Sequence, residues 1–259
     1  MGVVNVTPDS FYEQVRTPDH AAAVARGLEL FAAGADVVDV GGESTRPGAE
    51  DVDEARELER VLPVIAALSV HGPVSIDTRK ERVARAAVAA GASMVNDVSG
   101  TLPEVAGDLG VGYVAMHAQG TPQTMQQNPR YENVVREVFE FLAGLATRAS
   151  AAGVQGLWLD PGIGFGKTAE HNWSLLAHLD ELVAMAYDLG AGVLVGTSRK
   201  RFLDTAGTTV VGPNDRFEGS LATATWALSQ GVSIVRVHDV VACTYIRDLL
   251  VRPVEEVLL

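Results

Sequence analysis

GVVNVTPDSF, residues 2–11, decides how the chain is read: an apolar run, Gly2-Val3-Val4, breaks off into an amide, a hydroxyl, a proline and a carboxylate. The arrangement recurs. Apolar runs stand at 2–6 (GVVNV), 36–40 (DVVDV), 73–76 (PVSI), 93–96 (SMVN), 112–116 (GYVAM), 157–160 (LWLD), 192–196 (GVLVG) and 233–237 (SIVRV). Val/Ile runs without strict alternation predict strands buried on both faces, as a helix-covered parallel sheet requires. Between them lie segments with Ala, Leu, Glu and Arg at helical spacing, such as DHAAAVARGLELFAAG and DEARELERVLPVIAALS. Gly34, Gly91, Gly153 and Gly231 close four of these segments, where a left-handed cap before the next strand is wanted. Eight strand–helix units predict an α/β fold, one single-domain (β/α)8 TIM barrel over residues 1–259. An open doubly wound sheet is the weaker alternative, because no Gly-x-Gly-x-x-Gly follows the first strand.

Composition narrows the function. The 259 residues are 47% hydrophobic, enough for a substantial core, and carry a net charge of −13 with no Lys/Arg block. Nucleic acid and anionic membrane surfaces are repelled by such a chain, so a small-molecule partner is expected. No run of 18 apolar residues and no secretory pattern is present, which points to a cytoplasmic protein. The single cysteine, Cys243, reads as a small helix residue.

In this fold chemistry sits at the C-terminal ends of the strands. Strand 1 ends at Asn5, with Thr7 and Asp9 beyond; strand 2 passes Asp39 into GGESTRPG with Glu43, Ser44, Thr45 and Arg46. Strands 3 to 6 end at Asp77-Thr78-Arg79, Asn96-Asp97, Met116-His117 and Asp160, the last followed by PGIGFGK. Strand 7 leads to Thr197-Ser198-Arg199-Lys200, and strand 8 carries Arg236 and His238. A lone Asp or Asn after a strand is commonly a helix cap or turn former. The set reads differently: Asp77, Asn96 and Asp160 make an acceptor–donor array suited to a flat heterocycle rich in N–H groups, such as a pterin or guanine. Arg199, Lys200, Arg236 and His238 predict an anion pocket near the place where barrels bind phosphate. Gly162, Gly164 and Gly166 allow close backbone approach, to a ligand or to a neighbouring loop. His171 and Trp173 read as packing residues, and His20, His71 and His178 as exposed helix positions.

With these residues assembled, the chain resembles dihydropteroate synthases, the folate-pathway enzymes inhibited by sulfonamides. GVVNVTPDSF, DVGGESTRPGAE, SIDTRK, VNDVSG, MHAQGTPQTMQ, LDPGIGFGKTAEHN, GTSRK, DRFEGSLA and RVHDV carry the resemblance, in order, from Gly2 to about Val240. It implies condensation of 6-hydroxymethyl-7,8-dihydropterin diphosphate with p-aminobenzoate, giving 7,8-dihydropteroate and diphosphate. It also implies that Asp77, Asn96, Asp160 and Lys200 hold the pterin, with Met116 in the substrate-lining set. Asn5, Arg236 and His238 would hold the diphosphate, Asn5 also placing Mg2+. Thr45, Arg46, Pro47, Phe165, Ser198 and Arg199 would form the aminobenzoate side, and Asp9 and Phe11 a loop that closes over it. Asp9, Asp77, Asp160, Lys200 and Arg236 are the implied catalytic set, and a homodimer through helices 7 and 8 is the implied assembly.

Two departures stand out. Where the family continues Ser-Asp-Gly-Gly after Ser-Phe, this chain has Tyr12-Glu13-Gln14-Val15-Arg16, and loss of the glycines predicts a stiffer or reshaped loop. Asp204 replaces a frequent glycine and is expected to touch only the approach to helix 7. A non-catalytic pterin binder and a methyltetrahydrofolate-dependent corrinoid methyltransferase are the alternatives; the Ser198-Arg199-Lys200 and Arg236-x-His238 pair favours the synthase over the latter, which needs no diphosphate grip.

Overall fold

A computed structural model describes residues 1–7, 19–44, 49, 51–121, 123–205 and 216–251. Its strands are β1 (Gly2–Asn5), β2 (Val38–Gly41), β3 (Val74–Asp77), β4 (Met94–Asp97), β5 (Gly112–Met116), β6 (Gly156–Asp160), β7 (Gly192–Val195) and β8 (Ile234–Val235). All neighbours pair in parallel in the order β1 to β8, and a bridge from Gly2 to Val237 joins the last strand to the first. The barrel is therefore the expected one. Every expected strand is found, shortened most at the eighth, where Arg236 leaves the named strand yet still donates its N–H to Val195 O at 2.9 Å.

The outer layer among the described residues comprises α1 (His20–Ala32), α2 (Glu54–Leu68), α3 (Glu81–Ala89), α4 (Pro103–Leu109), α5 (Val134–Ala152), α6 (Ala169–Ala177), α7 (Leu179–Asp188), α8 (Phe217–Ser229) and α9 (Val240–Val251). Asp19, Asp53, Asn133 and Thr168 cap their helices by accepting the backbone N–H three residues on, which satisfies donors that the first turn leaves open. Gly34, Gly91, Gly153 and Gly231 all have positive φ, as their place after each helix requires. Pro63 lies inside α2 and cannot donate to the carbonyl of Glu59 one turn earlier. His20 Nε2 fills that gap at 3.0 Å, so His20 is a partly buried helix mender rather than a free surface residue. His178, also partly buried, bonds Ser174 O, whereas His71 is exposed as expected.

Strand alternation sorts side chains into two populations. Val38, Val40, Val74, Ile76, Val95, Tyr113, Leu159 and Val193 join the large core between sheet and helices. Met94, Val114 and Leu194, with Met1, form a separate apolar floor against which Val37, Trp158 and Ile234 pack. Two residues further along each strand, the same inward phase carries Asn96, Met116 and Asp160 at the mouth.

Asp97 falls in the opposite phase and is structural. Its carboxylate accepts from the N–H groups of Ser99, Thr101 and Leu102 and from Tyr113 OH, the last at 2.8 Å, so it shapes the entry to α4 from within the core. Asp97→Ala leaves the buried Tyr113 hydroxyl without its acceptor; urea unfolding should register a loss of about 3 kcal/mol, the scale of a charged buried hydrogen-bond group.

Candidate active site

The mouth is organised by Arg236. Its Nε donates to Asp39 Oδ2 at 2.7 Å and its Nη2 to Asp77 Oδ2 at 2.9 Å, so one guanidinium links β8 to β2 and β3. Asn96 Nδ2 donates to the same Asp39 oxygen at 3.1 Å. Asp39 is wholly buried, and its other oxygen has no hydrogen-bond partner among the described residues. Sequence reasoning noted Asp39 without assigning it to the site. The signal was available, since Asp39 stands two residues before Gly41 and so shares its inward phase.

Burial pushes the Asp77 carboxyl up to about 7, against the pull of Arg236 and with the push of Asp39, Glu57 and Asp97. Asp160 is also raised by burial, with Lys200 opposing; its Oδ1 accepts from Gly162 N–H at 2.7 Å. Burial lowers Lys200 to about 8, against the raising effect of Asp160. Its ammonium bonds the Ile163 carbonyl and lies 4.6 Å from the centre of the Phe165 ring, a cation–π contact. Arg236 thus sits within the acid ring and not in a separate cationic patch on strands 7 and 8.

Two glycines keep the mouth open. A Cβ on Gly41 would stand 3.7 Å from Asn5 Oδ1 and 3.7 Å from Asp77 Oδ2; one on Gly196 would stand 3.6 Å from Arg236 Cβ and 3.9 Å from Lys200 Nζ. Any larger side chain there fills the space that these polar groups face.

The anion side is more dispersed than expected. Ser198 Oγ bonds His238 Nδ1 at 3.0 Å, joining the β7 and β8 loops. Arg199 is exposed, and its guanidinium pairs with Asp239 at 3.0 Å, away from Asp77 and Asp160. Its φ of 60° is unusual for a non-glycine residue, and α8 holds it there: Arg199 N–H donates to Ser220 Oγ, and Arg199 O accepts from Arg216 Nη1 at 3.1 Å. Arg216 is in turn gripped by Asp204 through two bonds of 2.7 and 2.6 Å. Asp204 therefore does more than affect the approach to a helix: it orients the arginine that supports the Arg199 backbone.

The Gly162/Gly164/Gly166 question resolves toward protein neighbours. A Cβ on Gly162 or Gly166 would collide with the carbonyls of His117 or Gln119, and one on Gly164 would meet the Lys200 stem at 3.0 Å. Beneath this loop lies a pair that the sequence did not disclose: Lys167, 3% exposed, whose ammonium donates to His117 Nδ1 at 2.9 Å. Burial lowers Lys167 to about 7 and His117 to about 3, so the imidazole is neutral and can accept. On the β2 side, Glu43 takes bonds from Arg79, Lys80 and Val52 N–H, anchoring the start of the loop after β2. Asp9, Phe11, Thr45, Arg46 and Pro47, with the altered stretch Tyr12 to Arg16, lie outside the described residues.

A (β/α)8 barrel with buried carboxylates, an amide and two cations in its mouth defines the class of enzyme that binds a flat, N–H-rich heterocycle at the barrel's C-terminal end. The model for pterin-binding enzymes matches residues 1–238. The dihydropteroate synthase of Escherichia coli K12 is 43% identical over 249 residues, covering 93% of this chain and 86% of that relative. Among solved structures, Yersinia pestis dihydropteroate synthase in a sulfonamide drug complex superposes with a TM-score of 0.87 at 39% identity, covering 96% of this chain and 92% of that one. The Xanthomonas albilineans dihydropteroate synthase with 4-aminobenzoic acid gives 0.86 at 43% identity, covering 98% and 93%. The chain belongs to the dihydropteroate synthase family.

The shifted groups predict a pH signature for the unliganded protein. Asp77 titrates near 7 when folded and near ~3.9 when unfolded, so between those values the folded state binds more protons and stability falls as pH rises. Lys200 titrates near 8 when folded and near ~10.4 when unfolded, so it adds stability as pH rises through that interval. Between pH 5 and 7 His117, lowered to about 3 by burial, acts in the opposite sense to Asp77, so chemical denaturation should show a slope of stability against pH that is more positive in Asp77→Asn than in the unsubstituted protein.

Proposed function

We propose that this member of the family carries out the dihydropteroate synthase condensation on the ring described above, with Asp77, Asn96, Asp160 and Lys200 holding the dihydropterin and Arg236, His238 and Asn5 holding the diphosphate. The observation that carries the assignment is the convergence, in one mouth, of acceptors suited to the heterocycle's N–H edge with a guanidinium already in contact with two of the carboxylates. A bound heterocycle offers donors to carboxylates whose hydration the barrel has removed, which favours the matching ligand over water. The p-aminobenzoate nitrogen attacks the exocyclic methylene, the C–O bond breaks with its electron pair leaving on diphosphate, and the nitrogen loses a proton. As that bond breaks, positive charge grows on the pterin and negative charge on the leaving group. Asp77 and Asp160 stabilise the first and Arg236 and His238 the second, in a site of low dielectric where fixed charges act strongly. The nucleophile is neutral, so orientation by Phe165, Ser198 and Arg199, with Thr45, Arg46 and Pro47, supplies much of the remainder. Met116 lines the pterin pocket, and the family resemblance assigns Asp9 and Phe11 to the aminobenzoate half.

Mg2+ fits the donor set. The Asn5 amide oxygen faces the gap at Gly41 beside Asp77 Oδ2, a hard oxygen environment in which one protein ligand, diphosphate oxygens and water suffice. Bound there, the ion would neutralise charge on the leaving diphosphate. A cytoplasmic setting and a homodimer complete the reading. The dimer is supported by exposed apolar side chains on α8 and α9, Phe217, Trp226, Val241 and Tyr245. No helix among the described residues is long and apolar enough to cross a membrane.

Diphosphate release from the pterin diphosphate, measured with and without p-aminobenzoate and Mg2+, tests the assignment. Release should require both, and Asp160→Asn should reduce it by about a hundredfold or more, the scale of a lost transition-state electrostatic contact. Pterin binding without any release would instead identify a non-catalytic binder.

A further inference from the structure

The loop after β6 is held at every carbonyl from residue 162 to residue 166 by a side chain. Lys167 Nζ donates to Gly162 O at 3.0 Å and to Phe165 O at 3.1 Å. Lys200 Nζ donates to Ile163 O, Gln126 Nε2 to Gly164 O at 2.9 Å, and Tyr131 OH to Gly166 O at 2.9 Å. Lys167 also reaches the β5 loop, at His117 Nδ1 and, at 3.4 Å, His117 O. A buried ammonium is costly unless hydrogen-bonded throughout, and an apolar side chain could fill the same volume without that cost. What the ammonium adds is direction. It fixes which way two peptide units of the loop face, and the second belongs to Phe165 itself.

We propose that Lys167 is a positioning residue for the aminobenzoate half of the site: by holding the Gly162 and Phe165 carbonyls against His117, it sets the angle at which the Phe165 ring is presented. The ring's other restraint is Lys200, so the loop also links the aminobenzoate half to the pterin half. This inference rests on the assignment of Phe165 to the aminobenzoate side.

Steady-state kinetics on Lys167→Met, Phe165→Ala and the double variant, with equilibrium binding of the pterin diphosphate alone, test it. Lys167→Met should raise the KM for p-aminobenzoate about tenfold, leave the pterin Kd within about twofold, and add less than about twofold in the Phe165→Ala background, as coupled residues do. An unchanged KM, a parallel loss of pterin affinity, or full additivity with Phe165→Ala would each overturn the proposal. If Phe165→Ala itself leaves that KM unchanged, the assignment of Phe165 fails and the proposal falls with it; if Phe165→Ala raises it while Lys167→Met does not, only the proposal fails. Should Lys167→Met not fold, Tyr131→Phe removes the donor to Gly166 O without touching a buried charge. A smaller rise in the same KM supports the proposal, and no rise overturns it.

Discussion

The Arg236 guanidinium, held between Asp39 and Asp77, is the contact on which the mouth of this barrel depends. Asp39 is wholly buried and cannot sit there charged without a cation, and the cation that meets it comes from 197 residues away in sequence. Closure of the sheet is what brings them together: the eighth strand must lie against the first for Arg236 to reach across to β2 and β3. Removing any one member would leave the others buried and uncompensated, a cost of about 3–5 kcal/mol for such groups. Fold closure and site assembly are therefore one event, and the acid ring cannot be intact in a barrel whose last strand has come away.

Around this centre the protein restricts its loops with charge and not with packing alone. Glu57, fully buried at the back of β3, takes a 2.5 Å bond from Lys80 and a 2.6 Å bond from Thr78, while Glu43 shares Lys80 and gathers Arg79. On the opposite wall Asp204, Arg216 and Ser220 hold Arg199 in a left-handed backbone conformation that an unconstrained non-glycine residue avoids. Buried ionic networks of this kind contribute little net stability compared with apolar isosteres, but they admit few alternative geometries. That trade suits a site in which a weak neutral nucleophile must be presented to an electron-poor carbon.

The raised carboxylates and lowered lysine share one cause. Asp77, Asp160 and Lys200 are each disfavoured in their charged form by desolvation and partly restored by charged neighbours, Arg236 among those of the two acids. A ligand that brings its own N–H donors and its own anion changes that balance for all of them at once. Binding energy and electrostatic readiness are drawn from the same burial.

The barrel was legible in the sequence because eight Val/Ile runs, spaced by helical segments and closed by Gly34, Gly91, Gly153 and Gly231, carry their own local signals. So was the placement of Asn5, Asp77, Asn96, Asp160 and Arg236 at the mouth, since a polar side chain at the end of an apolar strand is conspicuous without coordinates, and Lys200 followed from its place in the loop after β7. Adjacent residues were not separable that way. Asn96 and Asp97 look alike in sequence, and only the pleat decides that one faces the mouth and the other the core beside Tyr113. Asp39 was noted but given no role, Lys167 was passed over within its motif, and Asp204 looked inconsequential, because the partner of each lies on another strand, loop or helix. Sequence by itself determined the strand–helix order and which strand ends carry polar side chains, since period and residue type are local properties. Which carboxylates share a cation, which lysine is buried and which loops are tied together were decided only by tertiary structure, because a charge acquires its partner, its desolvation and its role when distant strands close into a ring.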